Sequence, residues 1–193
     1  VGDKIYITKG AAIEATGLFG ATFPNLIKQD FGEEFQKKAE EFFYQMSVVD
    51  DALIAVSIGV REDGVTSMHD ATECGVLGGV FELAQVSRKG VKIFKDRIFV
   101  PDVTKKICQK YGMDPYISIS EGTLIITVRP QKVSDLEKVF KENNIPLFEI
   151  GEITDNNEMI IVTSKGEEKL THPEIDPFWS AFSRTMKRKY KEG

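Results

Sequence analysis

The chain has 193 residues, of which 41% are hydrophobic and 28% charged, enough for one substantial core or for a core with an appendage. Its formal net charge of −5 at pH 7 argues against a general nucleic-acid binder, which needs a basic surface. No apolar run is long enough to cross a membrane, and no signal segment opens the sequence. We therefore expect a soluble cytoplasmic protein with neither nucleic acid nor a membrane as partner.

The two cysteines, Cys74 and Cys108, are far apart in the sequence. They lack the C-x-x-C spacing of redox and zinc motifs, and no pair of histidines accompanies them. We predict that both are reduced thiols, that Cys108 is a small core residue, and that the chain has no metal site of its own.

The first half of the chain shows both strand and helix periodicity. Lys4 to Thr8, KIYIT, alternates and is rich in branched and aromatic residues, which predicts a strand. Asp50 and Asp51 precede an apolar helical stripe, so they are interpreted as a cap and a first-turn acid. The other elements predicted here are a short helix over 11–18, a connector over 24–32, a helix over 33–46, a helix from 52 to about 60 and a short buried strand over 65–68.

Residues 67–90 hold a polar cluster that turns abruptly into an amphipathic helix. Apolar residues between 76 and 84 fall on one face at the 3.6-residue period. The last turn is basic, and Gly90 suits the left-handed cap position that ends a helix. The helix is therefore predicted to begin between Thr72 and Gly75.

The second half of the chain alternates strands with helices. Glu121-Gly122 lies between two alternating arms, which predicts a hairpin, and residues 134–137, SDLE, have the pattern of a capping box. The elements predicted here are strands over 91–94 and 97–100, a helix over 102–112 capped by Asp102, strands over 116–120 and 123–128, a helix from 134, and strands over 146–150 and 159–163. This order predicts an α+β domain in which helices cover a mixed sheet.

The composition changes near the C-terminus. An apolar stripe in the final helix includes Phe178 and Trp179, so we predict that Trp179 is largely buried against the body. The basic residues of this helix are interpreted as a solvated face or, alternatively, as a contact for an anion or membrane surface; they are Arg184, Lys187, Arg188, Lys189 and Lys191. We expect one domain over 1–163 and an appendage over 164–193 with a basic amphipathic helix.

The turn before the central helix has two interpretations. In one, Asp70 or Thr72 only caps the helix, since both residue types are common N-caps. In the other, Gly75 lets an anion or substrate approach unpartnered N–H groups at the helix start. His69 is also open to two roles, structural hydrogen bonding or proton transfer.

Several segments resemble the C-terminal domain of the aminoimidazole ribonucleotide (AIR) synthetase superfamily. MHDATECGVLGG followed by ELA resembles its H-D-x-T/S-x-G-G-L turn. VGDKIYITKG resembles its opening strand, DPYISISEGTLIITV its later hairpin and NNIPLFEIGEI its closing strand, in the family's order. The superfamily includes a hydrogenase maturation dehydratase, formylglycinamidine ribonucleotide synthetase, selenophosphate synthetase and thiamine monophosphate kinase. One departure is Cys74-Gly75, where the family usually has paired glycines.

The resemblance implies a layered α+β fold with partial ferredoxin-like topology and a set of site residues. Asp70 and Thr72 would be catalytic, Thr72 as a hydrogen-bond donor to a phosphate or carbonyl oxygen and Asp70 as the group that orients it or takes a proton. The substrate- or anion-binding positions would be His69, Glu73, Cys74, Gly75, Thr8 and Lys9.

The resemblance also implies partners and cofactors. ATP and Mg²⁺ would be bound mainly by an N-terminal domain, which is absent from this chain and would be its partner in cis. The substrate would be a small molecule with an amide- or acid-type oxygen that is phosphorylated, and a homodimer is compatible with the family. The alternative function is a binding or regulatory module that keeps the fold without catalysis.

Overall fold

The structure, a computed structural model, describes residues 1–192 and the side chains of residues 1–189. The strands are β1 (Lys4–Thr8), β2 (Val65–Asp70), β3 (Gly90–Phe94), β4 (Leu124–Val128), β5 (Leu147–Thr154), β6 (Met159–Thr163) and β7 (Gly166–Lys169). The α-helices are α1 (Ile13–Thr22), α2 (Pro24–Phe31), α3 (Glu33–Glu41), α4 (Val49–Val56), α5 (Gly75–Ser87), α6 (Asp102–Tyr111), α7 (Val133–Glu142) and α8 (Pro177–Glu192).

The seven strands form one mixed sheet in the order β2-β4-β1-β5-β3-β6-β7. Only β3 and β6 pair in parallel, and the other neighbours are antiparallel. The predicted α+β class with a mixed sheet is thus confirmed. Strand β4 lies between β1 and β2 and is buried at every residue, because both of its edges and both of its faces are covered.

The alternation of β1 divides the core between the two faces of the sheet. Ile5 and Ile7 pack with the apolar side of α5, whereas Tyr6 packs on the opposite face with residues of α4 and α7. A third cluster lies among α1, α2, α3, α6 and α8 and is built around Phe19. Cys108 is buried in that cluster, which confirms its prediction as a core residue.

Three predictions of local structure are wrong for reasons of packing. The expected connector over 24–32 is helix α2, because Pro24 suits the first turn and Leu26 and Ile27 bury an apolar side. The arm over 116–120 is a series of turns and forms no hairpin, because β1 and β2 already occupy both edges of β4. The expected strand over 97–100 is extended but unpaired after a 3₁₀ turn.

Several expected strand features and helix ends also differ from the prediction. The predicted strand over 65–68 is β2, but it is an edge strand in which Val65 is the only buried residue. Helix α5 ends with Arg88 in the left-handed conformation (φ 53°), and Gly90 instead begins β3. The capping box is absent because α7 begins before Ser134, and Asp102 lies inside α6 after Pro101 at the N-cap.

The C-terminal residues pack on the body through one side of α8. Phe178 is 1% exposed and packs in the helical core, whereas Trp179 is 55% exposed, so the prediction for Trp179 is wrong. The helical period explains the difference, since adjacent residues point about 100° apart. None of the helices in the described part of the chain is both long and apolar enough to cross a bilayer.

The basic side chains of α8 also contact the body. Arg184 donates to the carbonyl of Tyr111, and Lys189 donates to the carbonyl of Thr22 at 3.0 Å. Arg188 lies within 3.8 Å of the Asp30 carboxylate. The side chain of Lys191 lies outside the described residues.

This packing predicts opposite results for two neighbouring aromatic residues. Phe178→Ala should lower the free energy of unfolding by about 3 kcal/mol or more, as expected for a buried phenylalanine. Trp179→Ala should cost about 1 kcal/mol or less, because over half of its side chain stays in water. Urea denaturation of both variants checks this, and equal losses would contradict the packing of α8.

Candidate functional site

The topology brings the predicted site residues to one end of the sheet. Both β1 and β2 run antiparallel to β4, on opposite sides of it. Their carboxyl ends therefore meet beside the start of β4, where Asp70 pairs with Leu124. We call this region the sheet-end site: it consists of residues 8–10, 69–75 and the loop 119–123.

Asp70 is half-buried at the end of β2 and contacts the loop. Its Oδ1 accepts the N–H of Gly122 at 3.0 Å, and within the described residues its second oxygen has no hydrogen-bond partner. Burial raises the pKa of the Asp70 carboxyl, the Gly122 N–H opposes this, and the nearby Glu121 charge adds to it. The interpretation of Asp70 as the cap of α5 is therefore wrong, because its hydrogen bond goes to the loop.

Thr72 is held by its backbone and has a free side chain. Its carbonyl accepts the N–H groups of Gly75 at 3.1 Å and Ser120 at 3.2 Å, and its own N–H donates to the Asp70 carbonyl at 2.9 Å. The side chain is exposed, and its hydroxyl forms no hydrogen bond with any described group. The turn therefore keeps its shape without using the hydroxyl, and Thr72 does not cap α5 through its side chain.

Backbone N–H groups at the start of α5 are hydrogen-bonded to other groups of the protein. The N–H of Cys74 donates to Asp176 Oδ2 at 2.8 Å, and the N–H of Leu77 donates to the Tyr116 carbonyl at 3.0 Å. The N–H of Gly75 is bonded within the turn. The expectation of unpartnered N–H groups is therefore wrong for Cys74, Gly75 and Leu77, and groups distant in sequence supply the partners of Cys74 and Leu77.

Gly75 is required by packing against the loop. Its φ is +58°, and a Cβ at this position would lie 2.5 Å from the Ser118 carbonyl oxygen. The glycine therefore permits close approach of the loop backbone, not of a ligand. Cys74, which stands where the family usually has a glycine, is buried and is itself left-handed, with φ 61°.

Thr8 has a structural role at the end of β1. It is completely buried, and its Oγ1 accepts the N–H of Leu124 at 3.0 Å. Next to it, the hydroxyl of Thr123 donates to the Gly10 carbonyl at 2.6 Å. These bonds join β1 to β4 at the sheet-end site and leave Thr8 without access to a ligand.

Lys9 anchors the segment that leads into α4. Its ammonium group donates to the carbonyls of Gln45 at 3.3 Å and Ser47 at 2.8 Å and to Asp51 Oδ2 at 3.0 Å. All three of its protons are thus used within the protein. Its charge still acts on the site, because it lowers the pKa of Asp70 against the effect of burial.

The role of Asp51 goes beyond that of the predicted cap or first-turn acid. It does lie in the first turn of α4 but does not cap it, and it is only 3% exposed. Besides the ion pair with Lys9, its Oδ1 has no partner among the described residues. A buried carboxylate of this kind is retained only with a compensating cation, which Lys9 provides.

His69 contacts helix α5, and Glu73 contacts the C-terminal part of the chain. His69 donates from Nε2 to Glu82 at 2.9 Å, and His172 lies 3.3 Å from the other oxygen of the same carboxylate. The hydrogen bond from His69 lowers the pKa of Glu82. Glu73 accepts the indole N–H of Trp179 at 3.1 Å. Both residues thus contact parts of the protein that periodicity could not place beside them.

Two carboxylates of the site were not predicted from the sequence. Glu14 accepts the N–H of Glu121 at 2.8 Å, so it holds the same loop as Asp70, and Asp176 accepts the N–H of Cys74 in the turn at 2.8 Å. Burial raises the pKa of each carboxyl group. The acidic first turn of α1 was a signal for Glu14, whereas no local pattern indicates a contact between residues 102 positions apart.

The described residues do not form a nucleotide site. No three His, Cys, Asp or Glu side chains in this part of the chain are placed to hold a metal ion. The ammonium group of Lys9 and the N–H groups of Cys74, Gly75 and Leu77 are already partnered. These groups of the sheet-end site therefore do not fit a triphosphate with its cation.

The fold is similar to solved structures of a hydrogenase maturation protein. HypE of E. coli superimposes with a TM-score of 0.67 at 20% identity, covering 91% of this chain and 51% of that one. HypE in complex with ATP gives a TM-score of 0.64 at 17% identity, covering 92% and 52%. At these identities the likeness shows the fold alone.

The sequence relationship defines the family. The model of the AIR synthase related protein, C-terminal domain, matches residues 1–164, so the chain belongs to this family and the predicted relationship is confirmed. A putative hydrogenase expression/formation protein of Methanocaldococcus jannaschii is 29% identical over 125 residues, covering 61% of this chain and 37% of that protein. The chain thus spans about half the length of these solved relatives and less of the curated one.

The crowding at Gly75 predicts a loss of stability that exceeds backbone strain. Gly75→Ala should lower the free energy of unfolding by about 3 kcal/mol, from left-handed strain plus the collision with the loop. Gly112→Ala is the matched control, because Gly112 is also left-handed but a Cβ there meets nothing closer than 3.7 Å.

Chemical denaturation of the two variants separates the two effects. The control should lose about 1 to 2 kcal/mol from strain alone. Equal losses of unfolding free energy in the two variants would show that a Cβ at position 75 does not collide with the loop.

Proposed function

We propose that this domain is the substrate-side half of an ATP-dependent enzyme of the AIR synthase-related family, in which Asp70 and Thr72 contact the reacting oxygen of the substrate. The observation that carries this proposal is the unused hydrogen-bonding capacity of these two side chains. They lie at the end of the sheet, in a turn whose backbone is bonded without them. The rest of the turn serves structure, whereas the Thr72 side chain is exposed and the half-buried Asp70 carboxylate keeps one oxygen without a hydrogen-bond partner among the described residues.

The chemistry assigned to the two residues follows from their surroundings. The Thr72 hydroxyl donates a hydrogen bond to a phosphate or carbonyl oxygen. The Asp70 carboxylate orients that group or takes a proton, a role favoured by the burial that raises its pKa. Activation of an amide- or acid-type oxygen by phosphorylation needs mainly positioning and charge stabilisation, which a rigid turn with two polar side chains can supply.

ATP and Mg²⁺ are proposed to be bound mainly by a second, N-terminal domain in the same protein. When bound, they supply the phosphoryl group and neutralise its charge. The existence of a related structure with ATP, about twice the length of this chain, supports the assignment. So does the lack of a fitting phosphate cradle in the described residues. The small-molecule substrate would lie between that domain and the sheet-end site, and a homodimer remains a prediction.

A second candidate function is a binding or regulatory module without catalysis. The start of α5 favours it, because Asp176 takes the place that an anionic ligand would occupy at the Cys74 N–H. Cys74 also places a buried side chain in the turn where the family usually has a glycine. The two functions differ in whether Asp70 and Thr72 are needed for turnover.

Two variants test the catalytic proposal in the full-length protein. Asp70→Asn and Thr72→Val should each lower ATP-dependent turnover per folded molecule by about 100-fold or more, as expected when a proton-transfer or oxygen-binding group is lost. Neither should unfold the protein. Thr72 has no side-chain bond to lose, and Asn can still accept from Gly122.

The stability of the Asp70 variant has a predicted sign. Because its pKa is raised in the folded state, the charged Asp70 carboxylate is less favourable in the folded than in the unfolded chain. Asp70 therefore lowers the free energy of unfolding fully at a pH above its folded pKa. This cost disappears as the pH falls below its unfolded pKa. Asp70→Asn should therefore match or exceed the wild-type stability at pH 7. Large losses of stability with unchanged turnover would favour the non-catalytic module. ATP turnover by residues 1–193 alone would contradict the assignment of ATP to another domain.

A further inference from the structure

The C-terminal residues contribute directly to the sheet-end site. We call residues 171–179 the C-terminal strap; they cross the start of α5 and lie beyond the family match at residue 164. The Cys74 thiol lies 3.5 Å from the Pro173 carbonyl, and His172 and Trp179 contact groups of the same region. The turn between β2 and α5 is therefore covered by a segment outside the family domain.

Asp176 is the central contact of this strap. Although it is a charged residue, it is only 2% exposed. Its two oxygens accept the N–H of Cys74 at 2.8 Å and the N–H of Phe178 at 2.9 Å. One carboxylate thus joins the turn to the start of α8.

The position of this carboxylate explains why Asp70 and Thr72 are free. A 13-residue helix such as α5 favours a negative charge at its N-terminus, and residues near in sequence usually supply the cap. Here the acceptor comes from Asp176 instead. The two local candidates can then point toward solvent and the loop.

We propose that Asp176 is a positioning residue, which holds the turn carrying Asp70 and Thr72 in the geometry that the reaction needs. This rests on the proposed function of those two residues. Asp176 acts through the N–H group of Cys74 and does not itself touch the substrate. The C-terminal strap is thus part of the working site, and the family domain alone is incomplete.

The test compares Asp176→Asn with Glu174→Gln in the full-length protein. Asn has the size of Asp176, but its NH₂ group cannot accept a hydrogen bond, so only one of the two N–H groups keeps its acceptor. Glu174 is an exposed acidic residue of the same strap and serves as the matched control. Turnover and amide hydrogen exchange are measured for both. Asp176→Asn should lower kcat about ten-fold and speed exchange of the Cys74 amide by about ten-fold or more, as expected when a charged acceptor is lost.

Two readouts separate positioning from general stability. The KM for ATP should stay unchanged, because ATP is assigned to another domain, and the amides of β4 should exchange as in the wild type. The proposal is overturned if Asp176→Asn behaves like Glu174→Gln, or if the Cys74 and β4 amides accelerate equally. Exchange needs no turnover, so it decides the role of Asp176 even if Asp70→Asn and Thr72→Val show that the catalytic proposal is wrong.

Discussion

The arrangement of the site depends on the pairing of β4 with β1 and β2 at once. Because both neighbours run antiparallel to β4, their carboxyl ends must meet at its start. This pairing brings Asp70 into contact with the loop that precedes β4, more than 50 residues away in sequence. It also excludes a further strand beside β4, so residues before Leu124 form turns that can present N–H groups to carboxylates.

The loop and the turn stabilise each other through buried carboxylates. Glu14, Asp70 and Asp176 come from three separate parts of the chain. Glu14 and Asp70 accept N–H groups of the loop, and Asp176 accepts the N–H of Cys74 in the turn. Burial raises the pKa of each, which shows that desolvation is only partly offset by their hydrogen bonds. Such an arrangement costs stability. It is expected where a carboxylate has a role beyond holding the fold.

The two sides of the site differ in how their polar groups are used. Around Thr8 and Lys9, every predicted ligand atom is bonded within the protein. Around Asp70 and Thr72, the backbone is bonded and side-chain capacity is left over. This contrast shows that Thr8 and Lys9 support the fold at the end of β1, and it is the basis for proposing substrate contact at the end of β2.

The sequence by itself determined the α+β class, most of the strands and the family. Alternation and the 3.6-residue period are local patterns, and KIYIT and MHDATECG carry the resemblance. Only the tertiary structure decided which polar groups are free. Asp176 accepts the N–H of Cys74 at the start of α5, 102 residues away in sequence. The ammonium group of Lys9 is bonded to Asp51 and to carbonyls of the segment before it. Such pairings depend on which distant segments share a surface, so no local pattern in the chain could have predicted them.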